Sequence, residues 1–321
     1  MPNNPATPHR RGLGRRGPVP GRNGLVPDRR DRRAIRRSGA VAGSQRRLST
    51  GPLRGRLWIL WVVVLGVVAL WAVTGGRLAP FDPYAQVPAA RLLPPLARTA
   101  DGTHLLGTDA LGRDLFSQIV VAARLTLFIG TAATVIGLVI GAVVGVCAGY
   151  FGGWSDRVLM RLTEAQTALP MFLFAILLMA VAGASVTNLV ILLPTFIWPT
   201  VARVIRAETL RLRAEPFVVG AVALGANGRQ VVVNHLLPNL APRLGVLFVI
   251  DVGQIVLAEA GLSFLGAGVQ EPDLTWGVLI SEGRPYLAVA WWLTVMPGLF
   301  LAAVVLAVNM LSREMERRSQ S

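Results

Sequence analysis

The sequence predicts an all-α membrane protein with six transmembrane helices. Hydrophobic residues make up 53% of its 321 residues and charged residues only 15%. The charges are concentrated between long uncharged runs and do not recur at the spacing of a surface helix. A hydrocarbon core of ~30 Å requires roughly 20 apolar residues in a helix, because every backbone polar group must find its partner within the segment. Six segments meet or approach that length, at about residues 57–73, 125–150, 162–182, 186–204, 244–265 and 288–311.

The segment before the first span, residues 1–56, is predicted to be disordered. It contains 15 Arg against two acids, Asp28 and Asp31, and is rich in Pro and Gly. Membrane lipid or nucleic acid would suit this charge, but we favour a solvated tail that reinforces the topology, and we expect no nucleic-acid partner. No small-x-small cleavage pattern follows the first span, at residues 57–73, so we treat that span as uncleaved.

Arginine alone sets the predicted topology, because the sequence contains no Lys. With six spans, both ends of the chain lie on one side of the membrane, and 26 of the 32 arginines lie on that side. Basic residues concentrate in cytoplasmic loops. We therefore expect both termini to be cytoplasmic, including a short C-terminal tail at residues 312–321.

Residues 74–121, between the first two spans, are predicted to be external. Their first half is rich in turn-forming residues. From Asp109 onward, apolar residues fall near helical spacing and polar residues occupy the other face; the apolar set is Leu111, Leu115, Ile119 and Val120, and the polar set is Arg113, Asp114 and Gln118. This pattern predicts an amphipathic helix that lies against the outer surface.

Residues 122–311 hold the other five spans, and a regular series of glycines marks the first of them. These glycines recur at every fourth residue and therefore line one helix face: Gly137, Gly141, Gly145 and Gly149. Such a face allows another helix to approach closely, so we expect helix packing here.

Prolines in the later spans predict bent or interrupted helices: Pro170, Pro194, Pro199 and Pro297. The fourth span is the most polar, and Trp198 lies among its polar residues, which are Asn188, Thr195 and Thr200. We expect this span to line a cavity.

Three acids lie in or near the spans, where a carboxylate is costly and suggests a function. For Glu164 we predict an ion pair with Arg161. For Asp251 and Glu259, a proton relay or substrate contact and a hydrogen bond to another helix both remain open. Asp251 shares a helix face with Gln254, three residues later.

The connection between the fourth and fifth spans, residues 207–240, is far longer than the roughly two to eight residues that suffice to join helices. One apolar stripe predicts a short helix: Phe217, Val218, Ala221 and Leu224. Gly225 can end that helix. We interpret the connection as a compact insert on which a cytoplasmic partner docks.

A second short helix is predicted to follow in this insert. Asn227 precedes Gln230 by three residues, which approximates a capping box. Pro238 and Pro242 are predicted to end this helix and to admit the fifth span. We expect His235 to orient its loop through hydrogen bonds, and a pH-sensitive contact is the alternative.

The sequence lacks the motifs of common enzymes. Without Lys there is no phosphate-binding GxxxxGK[ST] loop, and no nucleophile elbow, HExxH motif or Cys and His cluster occurs. Cys147 is the single cysteine. We therefore predict no catalytic residue, cofactor or metal site.

The insert resembles the cytoplasmic loop of ATP-binding-cassette importer permeases, in which EAA is followed by a glycine, an isoleucine and HxLP. The matching residues are Ala221, Gly225, His235, Leu237 and Pro238. The departures are Val219 in place of the glutamate, Gly220 in place of the first alanine and Val232 in place of the isoleucine.

Four further blocks are similar to the second, C-type subunit of the dipeptide, oligopeptide and nickel permease subgroup. They are HLLGTDALGRD at 104–114, AGYFGGWSDRVLMR at 148–161, WPTVARVIR at 198–206 and LAEAGLSFLGAGVQEP at 257–272. The resemblance covers the chain from about residue 57 to the last span.

This resemblance implies a type I importer transmembrane domain in a bacterial inner membrane. Its partners would be two cytoplasmic ATPase subunits, or a homodimer of one, together with a sister permease and an external solute-binding protein. The short helix of the insert would dock in a groove of the ATPase. The residues implied in this coupling are Glu215, Phe217, Val219, Gly220, Ala221, Gly225, His235 and Pro238.

Three questions stay open at this stage. Peptides are the expected solute, and nickel or another small solute is the alternative. An ion-coupled secondary transporter that uses Glu164, Asp251 and Glu259 is a rival function. The family's glutamate is replaced by Val219, and we hypothesise that Glu215, four residues earlier on the same helix face, takes over its contact.

Overall fold

A computed structural model of the protein describes residues 54–319. A disordered tail is predicted at residues 1–56, and residues 1–53 of it lie outside the described residues. Residues 54–56 already belong to the first helix, which begins at Arg54. The expected C-terminal tail at 312–321 is helical as far as Ser319.

The described residues are predominantly helical, with a mostly irregular stretch at residues 79–114. The α-helices are α1 Arg54–Thr74, α2 Leu115–Phe151, α3 Gly153–Thr167, α4 Met171–Ala182, α5 Val186–Leu192, α6 Trp198–Arg213, α7 Pro216–Ala223, α8 Gly228–Val231, α9 Leu237–Phe264, α10 Trp276–Gly283 and α11 Trp292–Ser319. Short 3₁₀ turns cover Gly75–Leu78, Pro88–Ala90, Leu193–Phe196 and Arg284–Tyr286, and a π-helix covers Val232–Leu236. Two three-residue strands, β1 Ala97–Thr99 and β2 Gly102–His104, form an antiparallel hairpin.

Four described helical segments are long and apolar enough to cross a membrane: Ile59–Leu78, Leu115–Phe151, Gly228–Phe264 and Trp292–Arg317. Two bent pairs meet the same criterion when each pair counts as one span. These are Gly153–Thr167 with Met171–Ala182, bent by 81°, and Val186–Phe196 with Trp198–Arg213, bent by 42°. The prediction of an all-α polytopic membrane protein is confirmed, and the six spans correspond to four continuous segments and two broken pairs.

Prolines lie at both breaks. Pro170 is the residue that precedes α4, and Pro194 lies in the 3₁₀ turn between α5 and α6. A proline lacks the backbone N–H that a continuing helix would need, so each helix stops and a new one starts in another direction. Pro297, by contrast, lies inside α11 without interrupting it.

Helix α2 packs closely against α6 along the glycine series. A Cβ atom added to Gly141 would lie 2.6 Å from the Val201 side chain, and one added to Gly145 would lie 2.6 Å from the Ala202 carbonyl oxygen. Added Cβ atoms at Gly137 and Gly149 would be equally crowded, at 2.5 Å and 2.8 Å from side-chain atoms of α6 or its preceding residue. The four glycines therefore permit the close contact of two helices.

The polar residues near the second break satisfy backbone groups. Asn188 Nδ2 donates to the carbonyl oxygens of Ala182 and Gly183 at 3.0 and 2.8 Å, and Thr195 Oγ1 donates to the Leu192 carbonyl at 2.6 Å. Trp198 is buried, and its carbonyl oxygen faces Gly141. Within the described residues Trp198 therefore packs between helices, and the expectation that the fourth span lines a cavity stays a prediction.

The predicted amphipathic helix on the outer surface is wrong. Residues 105–114 form a loop, and the helix that begins at Leu115 is the first part of α2. Asp114 caps α2 by accepting a hydrogen bond from the Ser117 backbone N–H at 2.8 Å. At the start of α2 the apolar residues Leu115, Ile119 and Val120 are buried. The polar Gln118 is also buried, at 1% exposed, because it bonds to Asp109 in the preceding loop.

Candidate functional site

The insert between the fourth and fifth spans contains a short separate helix, α7. Pro216 occupies its first turn, where a missing N–H costs nothing. At its other end the N–H of Gly225 donates to the Val222 carbonyl and the N–H of Ala226 to the Ala221 carbonyl, both at 3.0 Å. Together with φ +91° at Gly225, these two bonds form a Schellman motif. The prediction that Gly225 ends this helix is confirmed.

The predicted capping box is also confirmed. The Asn227 side chain accepts from the Gln230 N–H and the Gln230 side chain accepts from the Asn227 N–H, each at 2.9 Å. Helix α8 starts at this box and leads without interruption through the π-helix into α9, so that Gly228–Phe264 is one span of 37 residues.

The prediction that Pro238 and Pro242 end the second helix is wrong. Pro238 lies in the first turn of α9 and Pro242 lies inside it. The preceding π-helix closes with a bond from the Leu237 N–H to the Val232 carbonyl, five residues back. The wider turn accommodates a proline that has no N–H to donate, and Asn239 Nδ2 donates to the His235 carbonyl at 2.6 Å.

Helix α7 turns one face to the protein and leaves an apolar face uncovered. Val218 is only 1% exposed and packs in a cluster with Leu212, Val231 and Leu236. We call the uncovered residues the coupling surface: Phe217, Val219, Val222 and Leu224. The predicted stripe of Phe217, Val218, Ala221 and Leu224 is therefore divided between the two faces, because the chain leaves the helix before Leu224, which is 92% exposed.

Arg213, the last residue of α6, contacts Tyr150 at the end of α2, close to α7. Arg213 Nη1 donates to the Tyr150 carbonyl at 2.9 Å, and its guanidinium lies 5.8 Å from the centre of the Tyr150 ring. A Cβ added to Gly228 would lie 3.3 Å from the Tyr150 side chain. A cleft of about 440 Å³, lined in part by Tyr150, Val219 and Val222, separates α7 from the end of α2.

The other residues predicted for coupling lie around α7. Glu215 precedes the helix and accepts a hydrogen bond from Arg211 Nη1 at 2.9 Å. The rings of Phe217 and His235 are 6.4 Å apart. Nothing lies within 4 Å of a Cβ added to Gly220. The exposed Pro238 belongs to α9 and not to the compact insert.

On the opposite end of the bundle, a polar network surrounds Arg113. Its Nε donates to Asp109 at 2.5 Å, its Nη1 to Glu271 at 2.8 Å and its Nη2 to Glu282 at 3.3 Å. Gln118 Nε2 also donates to Asp109, at 2.8 Å. These five residues line a cavity of about 320 Å³ between the loop before α2 and helix α10.

This environment shifts two pKa values. Burial raises the pKa of Glu282 to about 7, and the nearby charges of Glu271 and Asp109 add to that effect while Arg113 opposes it. Burial lowers the pKa of Arg113, but its hydrogen bonds to Glu271 and Asp109 outweigh that effect and raise it above the ordinary value. Arg113 therefore stays charged, whereas Glu282 changes charge near neutral pH.

A second group of polar residues near the Arg113 network holds the start of α2. Asp114 Oδ2 accepts from Ser117 Oγ at 2.7 Å, and Asp114 Oδ1 lies 2.9 Å from His104 Nδ1. The His104 ring stacks on Phe81 with the ring centres 4.6 Å apart. The β-hairpin thus positions His104 so that the segment between α1 and α2 is joined to the start of α2.

The acids of the spans have different surroundings. The predicted pair of Glu164 with Arg161 is confirmed, at 3.2 Å, on an exposed surface. Glu259 Oε1 accepts from Ser263 Oγ at 2.7 Å and from Thr275 Oγ1 at 2.8 Å, which joins α9 to the N-terminus of α10. Asp251 is buried, whereas Gln254 on the predicted shared face is exposed.

The contacts among several residues of the network around Arg113 could not be predicted from the sequence. Asp109, Arg113 and Glu271 lie inside blocks that mark the resemblance, but no local pattern assigns them to one another. Arg113 and Glu271 are 158 residues apart. The available signal is the density of charged residues in the loops before α2 and before α10, which is unusual in a chain with few charges.

Comparison with known proteins identifies relatives over most of the chain. The family model described as "Binding-protein-dependent transport system inner membrane component" matches residues 137–320. The glutathione transport system permease protein GsiD of Pectobacterium atrosepticum is 34% identical over 252 residues, which cover 78% of this chain and 81% of the relative. The oligopeptide transport system permease protein OppC of Haemophilus influenzae is 34% identical over 213 residues, covering 66% and 68%.

Among solved structures, inward-facing MetNI, a methionine ABC transporter, contains a chain with a TM-score of 0.48 and 19% identity. That similarity covers 63% of this chain and 97% of the other. The family model spans more than half of the chain, and the GsiD relative spans more than three quarters of it. The protein therefore belongs to the family of binding-protein-dependent transport system inner membrane components, the membrane-embedded permease subunits of ATP-binding-cassette importers.

Proposed function

We propose that this chain forms half of the translocation pathway of an ATP-driven peptide importer and that its coupling surface docks on a separate ATPase subunit. The observation that carries the docking site is the uncovered apolar face of α7, whose opposite face is buried through Val218 against Leu212, Val231 and Leu236. An apolar surface of this kind on a rigid support is typical of a site where another protein binds.

In this proposal the other partners are a sister permease, a second ATPase subunit and an external solute-binding protein. The end of the bundle that carries α7 faces the cytoplasm, as do both termini, which agrees with the excess of arginine there. ATP hydrolysis takes place in the partner, since this sequence has no Lys for a phosphate-binding loop.

Peptides are the proposed solute because the relatives carry glutathione and oligopeptide in their names. Nickel or another small solute has no comparable support among these relatives. An ion-coupled secondary transporter would work without an ATPase. Reconstituting the purified chain alone tests that rival, because uptake driven by an ion gradient in the absence of any ATPase would contradict the importer proposal.

The docking proposal is tested by Val222→Asp, which places a charge on the coupling surface. We expect the amount of ATPase that co-purifies in mild detergent to fall at least about tenfold, since a buried unpaired charge costs more than 1.4 kcal/mol. Leu105→Asp is the matched control, because Leu105 is an exposed apolar residue at the other end of the bundle. Equal ATPase recovery from both variants would contradict the proposal.

The replacement of the family's acid needs its own test. Glu215 already accepts a bond from Arg211, and both side chains are substantially exposed, so it can be shared with a partner. We expect Glu215→Ala to lower transport-coupled ATP hydrolysis and Val219→Glu to compensate in the double variant. If Glu215→Ala leaves coupling unchanged in vesicles, Glu215 does not replace the missing glutamate.

A further inference from the structure

Helix α3 carries two adjacent exposed stripes of different character. Trp154, Val158 and Leu162 follow each other at every fourth position and are all exposed. Arg157 and Arg161 form a second exposed stripe beside them. A helix with an apolar and a basic stripe side by side is typical of the boundary between membrane and water.

The opposite face of α3 packs against α6 and fixes its direction. Arg206 binds Asp156 through two hydrogen bonds, and its Nη2 lies 2.6 Å from Asp156 Oδ2. Ten residues further along α3, Gln166 Nε2 donates to the Thr195 carbonyl at 3.4 Å. The two helices therefore run side by side in opposite directions, and α3 leads from the end of α2 toward the interior of the bundle.

A cleft of about 600 Å³ lies between these helices, and its charged lining is mostly basic. It contains four arginines and two carboxylates: Arg157, Arg161, Arg203, Arg206, Asp156 and Glu164. Asp156 is occupied by Arg206, and Glu164 makes only an exposed contact with Arg161. The positive charge of the cleft is thus not balanced within the described residues.

Two of these arginines keep donors available. Arg203 makes no hydrogen bond or ion pair with another described residue. Arg157 uses only its Nε, which donates to the Gly153 carbonyl at 3.3 Å. Their guanidinium groups can therefore bind an oxyanion, for which the fork of an arginine is well suited.

The cleft lies at the end of the bundle that carries the coupling surface. Helix α3 starts directly after α2, close to Tyr150, whose carbonyl binds Arg213 next to α7. In the orientation of the proposed function, this end is cytoplasmic. A basic cleft beside Trp154 would then face the headgroups of the inner leaflet.

We propose that this cleft binds the phosphate group of an anionic phospholipid, whose acyl chain lies along Trp154, Val158 and Leu162. Basic pockets between helices on the cytoplasmic side suit such headgroups, and the apolar stripe supplies the surface that a soluble anion would not need. The inference rests on the proposed orientation and does not depend on the transported solute.

The experiment measures lipid binding to the whole purified transporter by native mass spectrometry, with phosphatidylglycerol and phosphatidylcholine as probes. The test variant is Arg157→Gln with Arg203→Gln. The matched control is Arg313→Gln with Arg317→Gln, which removes two exposed arginines from the last turns of α11 at the same end. We expect phosphatidylglycerol affinity to fall about tenfold or more in the test variant and to change little in the control.

Further arms separate the alternatives. Trp154→Ser should also weaken phosphatidylglycerol binding. Arg203→Lys should retain part of it, because the charge remains while the fork is lost. Glycerol 3-phosphate that competes as well as the lipid would mean a soluble anion site and overturn the proposal. Unchanged lipid affinity with reduced ATPase recovery would mean a protein contact and overturn it as well. Failure of Val222→Asp to affect ATPase recovery concerns the proposed function alone.

Discussion

The guanidinium group of Arg113 binds the carboxylate of Glu271 at 2.8 Å, although 158 residues separate them. The pair joins the loop before α2 to the loop between α9 and α10. Asp109 and Glu282 complete the surroundings of this largely buried arginine. A single side chain thus links three segments at the end of the bundle opposite α7.

Replacing Arg113 should strongly destabilise the protein at the segments that this residue joins. Arg113→Met removes the charged partner of the buried Asp109 and leaves it only neutral donors such as Gln118, so we expect a loss of about 3 kcal/mol in the free energy of unfolding. Thermal unfolding of the detergent-purified transporter measures this loss. Arg98→Met, at an exposed position of β1, serves as the control. A similar melting temperature for both variants would mean that the network does not hold the segments together.

The raised pKa of Glu282 predicts a dependence of stability on pH. Because the folded protein holds this proton more tightly than a free glutamate does, the stability from this group is present at low pH and is lost as pH rises from about 4.5 to about 7. We expect the melting temperature to fall over this window and Glu282→Gln to reduce the fall. Glu164→Gln, an exposed glutamate at the other end, should leave the dependence unchanged.

The close contact of α2 with α6 predicts a cost for any side chain at Gly141. A Cβ there would lie 2.6 Å from Val201 and 2.8 Å from the Trp198 carbonyl. We expect Gly141→Ala to destabilise the protein by about 1–3 kcal/mol through overpacking. Gly245→Ala is the matched control, since nothing lies within 4 Å of its added Cβ. A neutral Gly141→Ala would show that the helices separate easily.

The turn at Gly225 predicts a local effect of backbone strain. Its φ of +91° disfavours a side chain, but the space around it is open, so Gly225→Ala should cost about 1–2 kcal/mol from conformation alone. Faster hydrogen exchange at the amides of residues 225 and 226 would report a weakened Schellman motif. Gly220→Ala is the control, because Gly220 also has open space but no positive φ. Equal exchange in both variants would contradict this account.

Local sequence signals predicted the insert well. Gly225 and the pair of Asn227 with Gln230 act on backbone groups within a few residues, so their bonds follow directly from spacing. Pro238 was misjudged because a π-helix can absorb a proline without ending the helix. That adjustment depends on the packing of the whole span and leaves no mark in the local pattern.

The prediction of a surface helix around Arg113 is wrong for a different reason. The polar face of the supposed surface helix contains Arg113 and Gln118, which are polar because they bind Asp109 and Glu271, not because they face water. Alternation of polar and apolar residues cannot separate these two causes. Only the position of the partner, far along the chain, distinguishes a buried network from a solvated face.

The absence of a break between the insert and the fifth span has a mechanical consequence. The 37 residues of Gly228–Phe264 extend over about 55 Å, from the capping box beside α7 to the region of Glu259 and Thr275. A tilt imposed by a docked partner at the end beside α7 would therefore also move the end that carries Glu259. Glu259 accepts a hydrogen bond from Thr275 at the start of α10. The movement would therefore reach the loop before α10, which Arg113 binds through Glu271.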